Sequence, residues 1–203
     1  MQTTLKDLLA TGADNAPAIS APSRLPLSFG ALRTLIDATL VQLNALGIGR
    51  NDRVAIVLPN GPEMASCFMA CARGVASAPL NPAYRAEEFE FYLSDLNAKA
   101  LIVEQGSTSP AIKVAQKLGL RLIELLPQPD EGAGSFLLQP REARADAPAS
   151  QGGDAQPGDV SMVLHTSGTT SRPKIVPLSQ RNLCASAANI GRSLQFEIGR
   201  AHV

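Results

Sequence analysis

One stretch constrains the fold more than any other: "RVAIVLPNGPEMASCFMACARGVASAPLNPAYRAEEFEFYLSDLNAKALIV", Arg53 to Val103. Val54 to Leu58 is a continuous apolar run of strand length, broken by "PNG". Pro62 and Glu63 then open a helix at positions those residues prefer, with Met64, Cys67, Phe68, Cys71 and Val75 along one face. A second buried strand fits Ala76 to Leu80. After the "NP" break, Glu87 to Leu96 reads as helix, Ala100 to Val103 as strand, Ser109 to Leu118 as helix and Leu120 to Leu126 as strand. Strands this apolar must be covered on both sides, and helices of about ten residues between them allow parallel crossovers. The expected fold class is therefore α/β, a mainly parallel sheet with helices on both faces. A hydrophobic content of 45% over 203 residues suffices for the buried core such a sheet needs.

The flanking segments have a different texture. Thr4 is suited to cap a short helix carrying Leu5, Leu8 and Leu9. Ser28 is suited to cap a longer one in which Leu32, Leu35, Ile36, Leu40 and Leu43 recur at helical spacing up to Gly47. "GIG" at Gly47 to Gly49 precedes a strand instead of following one, so it reads as a helix end and not as a dinucleotide loop. From Pro127 to Gly158 the composition turns to Pro, Gly, Ala, Gln and acids, and only "SFLL" looks able to pair. The expected organisation is an α/β subdomain at 1–126, a Pro/Gly/Ala-rich connection at 127–159, a strand–loop–helix unit at 160–197 and a non-native tail at 198–203. The tail is inferred because "EIGRAHV" breaks the helical pattern running from Ser179 to Leu194. Back-translated, Ile198 to Val203 also fits a reading frame of a common sequencing adapter.

Charge and cysteine usage exclude several classes. Lys plus Arg equals Asp plus Glu at 18 each, so no net field attracts nucleic acid. No apolar run is long enough for a transmembrane segment, and "MQTTLKDLLATGADNAP" lacks the basic flank and apolar block of a signal peptide, so a cytoplasmic location is expected. Cys67, Cys71 and Cys184 are an odd count without a histidine cluster, which suits small core residues better than a disulfide framework or a metal site.

The segment that calls for chemistry is "MVLHTSGTTSRPKIVPLSQRN", Met162 to Asn182. An apolar run empties into a loop of small residues, whose successive backbone N–H groups are able to turn inward around phosphate oxygens. Gly168 permits close approach. Thr166, Ser167, Thr169, Thr170 and Ser171 offer hydroxyl donors, and Lys174 a mobile cation. Because Lys174 is followed by Ile175 and only one glycine is present, this is not the Gly-x4-Gly-Lys-Ser/Thr loop. On these residues alone a phosphate loop competes with a Ser/Thr-rich turn that merely precedes a helix capped by Ser179.

"LHTSGTTSRPKIVPLSQRNL" resembles the phosphate-loop signature of the AMP-forming acyl-CoA synthetase superfamily, which also contains luciferases and peptide-synthetase adenylation domains. "GIGRNDRVAIVLPNGPEM" and "GVASAPLNPAYRAEEFEFYLSDLNAKALIV" are similar to that family's earlier segments in order and spacing, so the resemblance covers nearly the whole chain. His165, the "SRPK" end and Gln180 look closest to the oxalate-CoA ligase and peroxisomal CoA synthetase branch. The resemblance implies the incomplete N-terminal domain of an adenylate-forming enzyme. In it, Thr166, Ser167, Gly168, Thr169, Thr170 and Lys174 would hold the β- and γ-phosphates of ATP. In the family a carboxylate attacks the α-phosphorus, pyrophosphate leaves, and the acyl group passes from the adenylate to coenzyme A. Mg2+ is implied by that chemistry, and the partners implied are a small carboxylic acid, ATP and CoA.

The departures set further expectations. Most relatives carry glycine where this chain has Ile175, which is strained there if the backbone is left-handed and harmless if it is extended. His165 stands where many members carry an aromatic residue, and a packed role is expected of it. The family's later motifs, including the catalytic lysine of the mobile C-terminal domain, are absent from these 203 residues, so the fragment alone is expected to be inactive. Two other readings remain: a non-catalytic nucleotide-binding fragment, and a serine acyl-enzyme hydrolase using Ser171-x-x-Lys174, which lacks the companion Ser-Asp-Asn and Lys-Thr-Gly motifs.

Overall fold

The computed structural model describes residues 2–166 and 173–194. In chain order the elements are α1 (Leu5–Leu9), β1 (Pro17–Ile19), β2 (Leu27–Ser28), α2 (Phe29–Ala45), β3 (Arg53–Val57), α3 (Pro62–Gly74), β4 (Ala76–Pro79) and α4 (Ala86–Asp95). They continue with β5 (Ala100–Glu104), α5 (Ala111–Lys117), β6 (Arg121–Pro127), a 3-10 turn (Pro129–Glu131), β7 (Phe136–Pro140), β8 (Val160–Thr166), β9 (Lys174–Ser179) and α6 (Gln180–Ser193). The strand–helix alternation expected from Arg53 to Leu126 is present throughout, with ends shifted by a residue or two.

Helix ends follow local chemistry. Thr4 and Asp7 form a reciprocal capping box at the start of α1, and Ser28 Oγ accepts from the Ala31 N–H at the start of α2. Gly47, at φ +75°, closes α2. Its N–H donates to Asn44 O and the Ile48 N–H to Leu43 O, the paired bonds of a Schellman stop that only a left-handed residue allows without strain.

β1 and β2 form a small antiparallel pair, and the other strands form one sheet in the order β7-β6-β5-β3-β4-β8-β9. The five strands from β6 to β8 run parallel, while β7 and β9 close the two edges antiparallel. Side chains alternate strictly across this sheet. Val54, Ile56, Ala100, Ile102, Ile123 and Leu125 join a core with residues of α1, α2 and α3. Ala55, Val57, Leu101, Val103 and Leu122 join a second core with Phe89 and Leu93 of α4 and Ile112 and Val114 of α5. Helices therefore cover both faces. Cys67 and Cys71 are fully buried in the first core with free thiols, and the hydrogen bond of the Cys67 thiol to Cys71 together with burial pushes it well up. Among the described residues no helix is long and apolar enough to cross a membrane.

The Pro/Gly/Ala-rich stretch 127–159 is tied to the body by bonds that composition hides. "SFLL" does pair, as β7 against β6. Beyond it, the Ala149 N–H donates to Asn44 O at 2.8 Å, Gln151 O accepts from the Arg50 N–H at 2.8 Å, and the Ala155 N–H donates to Arg73 O at 3.0 Å. Asp154 anchors the strap by charge, accepting from Lys6 Nζ at 2.6 Å and from Arg73 Nε at 2.7 Å. Arg73 is buried and also meets Asp37 at 2.7 Å.

Burial alone would push the Asp154 carboxyl up. The bonds from Lys6 and Arg73 outweigh it and hold the group below the ordinary value of 3.8. A folded-state pKa lowered in this way contributes stability that is fully present above pH 3.8 and is lost as pH falls through the folded value. Asp154→Asn is expected to cost about 1 to 3 kcal/mol at neutral pH. It should also flatten the acid side of a plot of melting temperature against pH. An unchanged acid limb would show that Asp154 does not anchor the strap.

Candidate functional site

The hydroxyl-rich loop leaves the sheet at its carboxyl edge. β8 runs parallel to β4, with Met162 opposite Ser77, so Thr166 ends at the same side as the ends of β3, β4 and β5. In open α/β sheets this is the edge at which ligands bind. A crevice of about 510 Å³ lies along it, where the connections after β3 and β5 diverge to opposite faces; Val57, Pro59, Pro82, Glu104, Gly106 and Pro110 contribute to its walls.

β9 was not expected from the sequence. It returns antiparallel along β8, pairing Val163 with Pro177, Leu164 with Val176, His165 with Ile175 and Thr166 with Lys174. Pro177 cannot donate to a ladder, and it is tolerated because β9 is an edge strand. Read as an edge strand interrupted by proline, "KIVPLS" carried a usable signal. The consequence for the loop is direct: its first hydroxyl residue and its lysine sit opposite one another at the mouth of a hairpin. Both are exposed, and no carboxylate among the described residues pairs with Lys174.

Of the other residues proposed for the site, Ser167, Gly168, Thr169 and Thr170 lie outside the described residues, as do Ser171 and the tail 198–203. Lys174 opens a strand. Ile175 is extended and packs against the core on the α4 and α5 side, which answers the question its replacement of glycine raised: no left-handed strain falls on it.

The base of the hairpin is fixed by buried polar contacts. Ser161 Oγ donates to Ala72 O at 2.9 Å. Gln180, fully buried at the start of α6, donates through Nε2 to the same carbonyl and accepts at Oε1 from the Leu5 N–H at 2.9 Å. Ser179 caps α6 in a reciprocal box with Asn182, as its sequence position suggested. Just before β8, burial pushes Asp159 up, but bonds from the Gln156 N–H and Asn51 and the charge of Arg50 hold its carboxyl below the usual value. At the upper end His165 is almost entirely covered, with Nε2 3.1 Å from Asp95 Oδ2 and its ring edge-on to Tyr92. The packed role expected of His165 is what the structure has, and the Asp95 partner is new. Among the described residues no three His, Cys, Asp or Glu side chains converge to hold a metal ion.

Comparison with known proteins follows the same lines. The family model described as AMP-binding enzyme matches residues 9–201. A protein of Humulus lupulus named a probable CoA ligase is 43% identical over 85% of this chain and 33% of its own length. The oxalate–CoA ligase of Arabidopsis thaliana is 40% identical over 92% of this chain and 37% of its own. The crystal structure of ATP-bound MatB from Rhodopseudomonas palustris superposes with a TM-score of 0.74 at 25% identity, covering 97% of this chain and 38% of that one. The chain thus spans about a third of the length of the curated relatives it matches.

Because Ile175 is extended and half-buried, restoring the glycine common at that position should weaken the hairpin. Ile175→Gly is expected to lose about 1 to 3 kcal/mol, from chain entropy and lost apolar burial, read as a lower urea midpoint. A midpoint that rises would mean that Ile175 is strained after all.

Proposed function

Since the chain belongs to the AMP-binding enzyme family, we propose that it is the N-terminal part of an AMP-forming carboxylic acid:CoA ligase. Thr166, Ser167, Gly168, Thr169, Thr170 and Lys174 grip the β- and γ-phosphates of ATP. The observation that carries this reading is the pairing of Thr166 with Lys174 at the carboxyl edge of the sheet, which brings a hydroxyl and an ammonium to the two sides of one loop. An anion held there meets a cation without a competing carboxylate among the described residues. Hydrogen bonds to charged groups contribute about 1.5 to 3 kcal/mol each, so four or five are enough for micromolar retention of a polyphosphate after ordering costs.

The contribution of these residues is positioning and charge stabilisation, with no covalent step of their own. The loop holds the leaving pyrophosphate while the substrate carboxylate approaches the α-phosphorus. Mg2+ fits this arrangement as an ion held chiefly by phosphate oxygens, as is usual for that ion, and it would neutralise the charge on the departing group. The acyl group is then taken by the thiol of coenzyme A.

Oxalate is the acid favoured, on the name of the Arabidopsis relative and on His165, the "SRPK" end and Gln180. The segments that would surround an acid lie largely outside these residues, and the chain as it stands is proposed to hold the polyphosphate without making acyl-adenylate. A cytoplasmic setting suits this chemistry.

ATP at about a hundred times its dissociation constant is expected to stabilise the chain by about 2.7 kcal/mol, a rise of several degrees in melting temperature. Lys174→Ala should remove most of that rise while leaving the unliganded melting temperature nearly unchanged. Equal protection of both proteins by ATP would contradict the phosphate-loop assignment, and acyl-AMP formation by the 203-residue chain would contradict its inactivity.

A further inference from the structure

Next to the start of the loop, one side chain is anchored to α4 by both a polar and an aromatic contact. His165 is the penultimate residue of β8, directly opposite Ile175, and its side chain is 6% exposed. A carboxylate only accepts, so the 3.1 Å contact between His165 Nε2 and Asp95 Oδ2 requires the proton on Nε2. Asp95 is the last residue of α4. The imidazole edge meets Tyr92 at a centroid distance of 4.7 Å, Tyr92 stacks on Tyr84 at 4.8 Å, and Tyr84 meets the fully buried Phe89 edge-on. Ile175 packs against the core that Phe89, Tyr84 and Tyr92 share. One residue below Thr166 and Lys174, β8 is therefore tied to α4 through His165, and β9 packs through Ile175 on the core to which α4 contributes.

An apolar ring would fill the same space. What the imidazole adds is a directional bond that sets the height and rotation of the β8 end against α4. From this geometry we infer that His165, held by Asp95, is a positioning residue for polyphosphate binding. It fixes the direction in which Thr166 and Lys174 leave the ladder, so a hydroxyl and an ammonium are already in place when the anion arrives. The inference rests on the phosphate-loop reading above. Without the bond, the ends of the loop would have to be ordered at the moment of binding, and affinity would fall with no phosphate contact removed.

Inorganic tripolyphosphate titrated into the 203-residue chain by calorimetry tests this, with urea midpoints measured alongside. Asp95→Ala and His165→Phe, the latter keeping the aromatic contact and losing the donor, are each expected to weaken tripolyphosphate about tenfold. Asp95→Asn, which keeps an acceptor, should recover most of that loss. Amide exchange should quicken at residues 164–166 and 174–176 in the weakened variants and stay unchanged in β3 and β5. Affinity within twofold of the parent in Asp95→Ala, while Lys174→Ala still weakens binding, would overturn the positioning role. The same role fails if Asp95→Asn is as weak as Asp95→Ala, or if the loss of affinity comes only with a general loss of protection. If Lys174→Ala also leaves affinity unchanged, the phosphate-loop reading fails with it.

Discussion

The antiparallel ladder between β8 and β9 is the constraint on which the remainder turns. Without it, Thr166 and Lys174 would be the two ends of a polar loop, free to separate. With it, they are cross-strand partners at the mouth of a hairpin. The ladder exists because β8 has a parallel neighbour, β4, that is itself covered by α3 on one side and by α4 on the other. A single edge hairpin is marginal in water, and this one borrows its rigidity from the sheet behind it.

Three sets of contacts transmit that rigidity, each with a distinct physical origin. Apolar burial holds Val163 and Ile175 against the α4 and α5 side. Buried polar bonds hold the base, where Ser161 and Gln180 converge on the carbonyl of Ala72 and Gln180 also receives the first N–H of α1. Leaving such a group unpaired costs more than forming the bond gains, which gives these few atoms weight beyond their number. At the upper end, the His165–Asp95 bond and the aromatic stack on α4 hold the strand close to the loop. These contacts hold the strand ends that carry Thr166 and Lys174, the kind of support a preorganised site requires.

What the sequence made legible follows the locality of the physics. β3 to β6 and the helices between them are visible because strands buried on both faces leave continuous apolar runs, and because Pro62, Ser28 and Gly47 mark helix ends by local bonding. β9 escaped because Lys174 and Pro177 interrupt its pattern, although a proline on an edge strand is permitted. The attachment of residues 149–155 escaped for another reason: its bonds run from backbone to Asn44, Arg50 and Arg73, about a hundred residues away in the chain, and leave no trace in composition. The Asp95 partner of His165 is 70 positions distant and equally hidden. The composition from Thr166 to Lys174 suggested an anion loop, since hydroxyls, glycine and lysine are what an anion needs. The placement of Thr166 opposite Lys174 was not legible, because it depends on the unforeseen β9 ladder.

Backbone amide chemical shifts of the chain recorded with and without ATP test the central claim most directly. The account predicts saturable shifts at Thr166, at Lys174 and in the residues between them, with none at Arg53 and Lys99 on the opposite edge of the sheet. Shifts centred on the opposite edge, or none near Thr166 and Lys174 at saturating ATP, would contradict it.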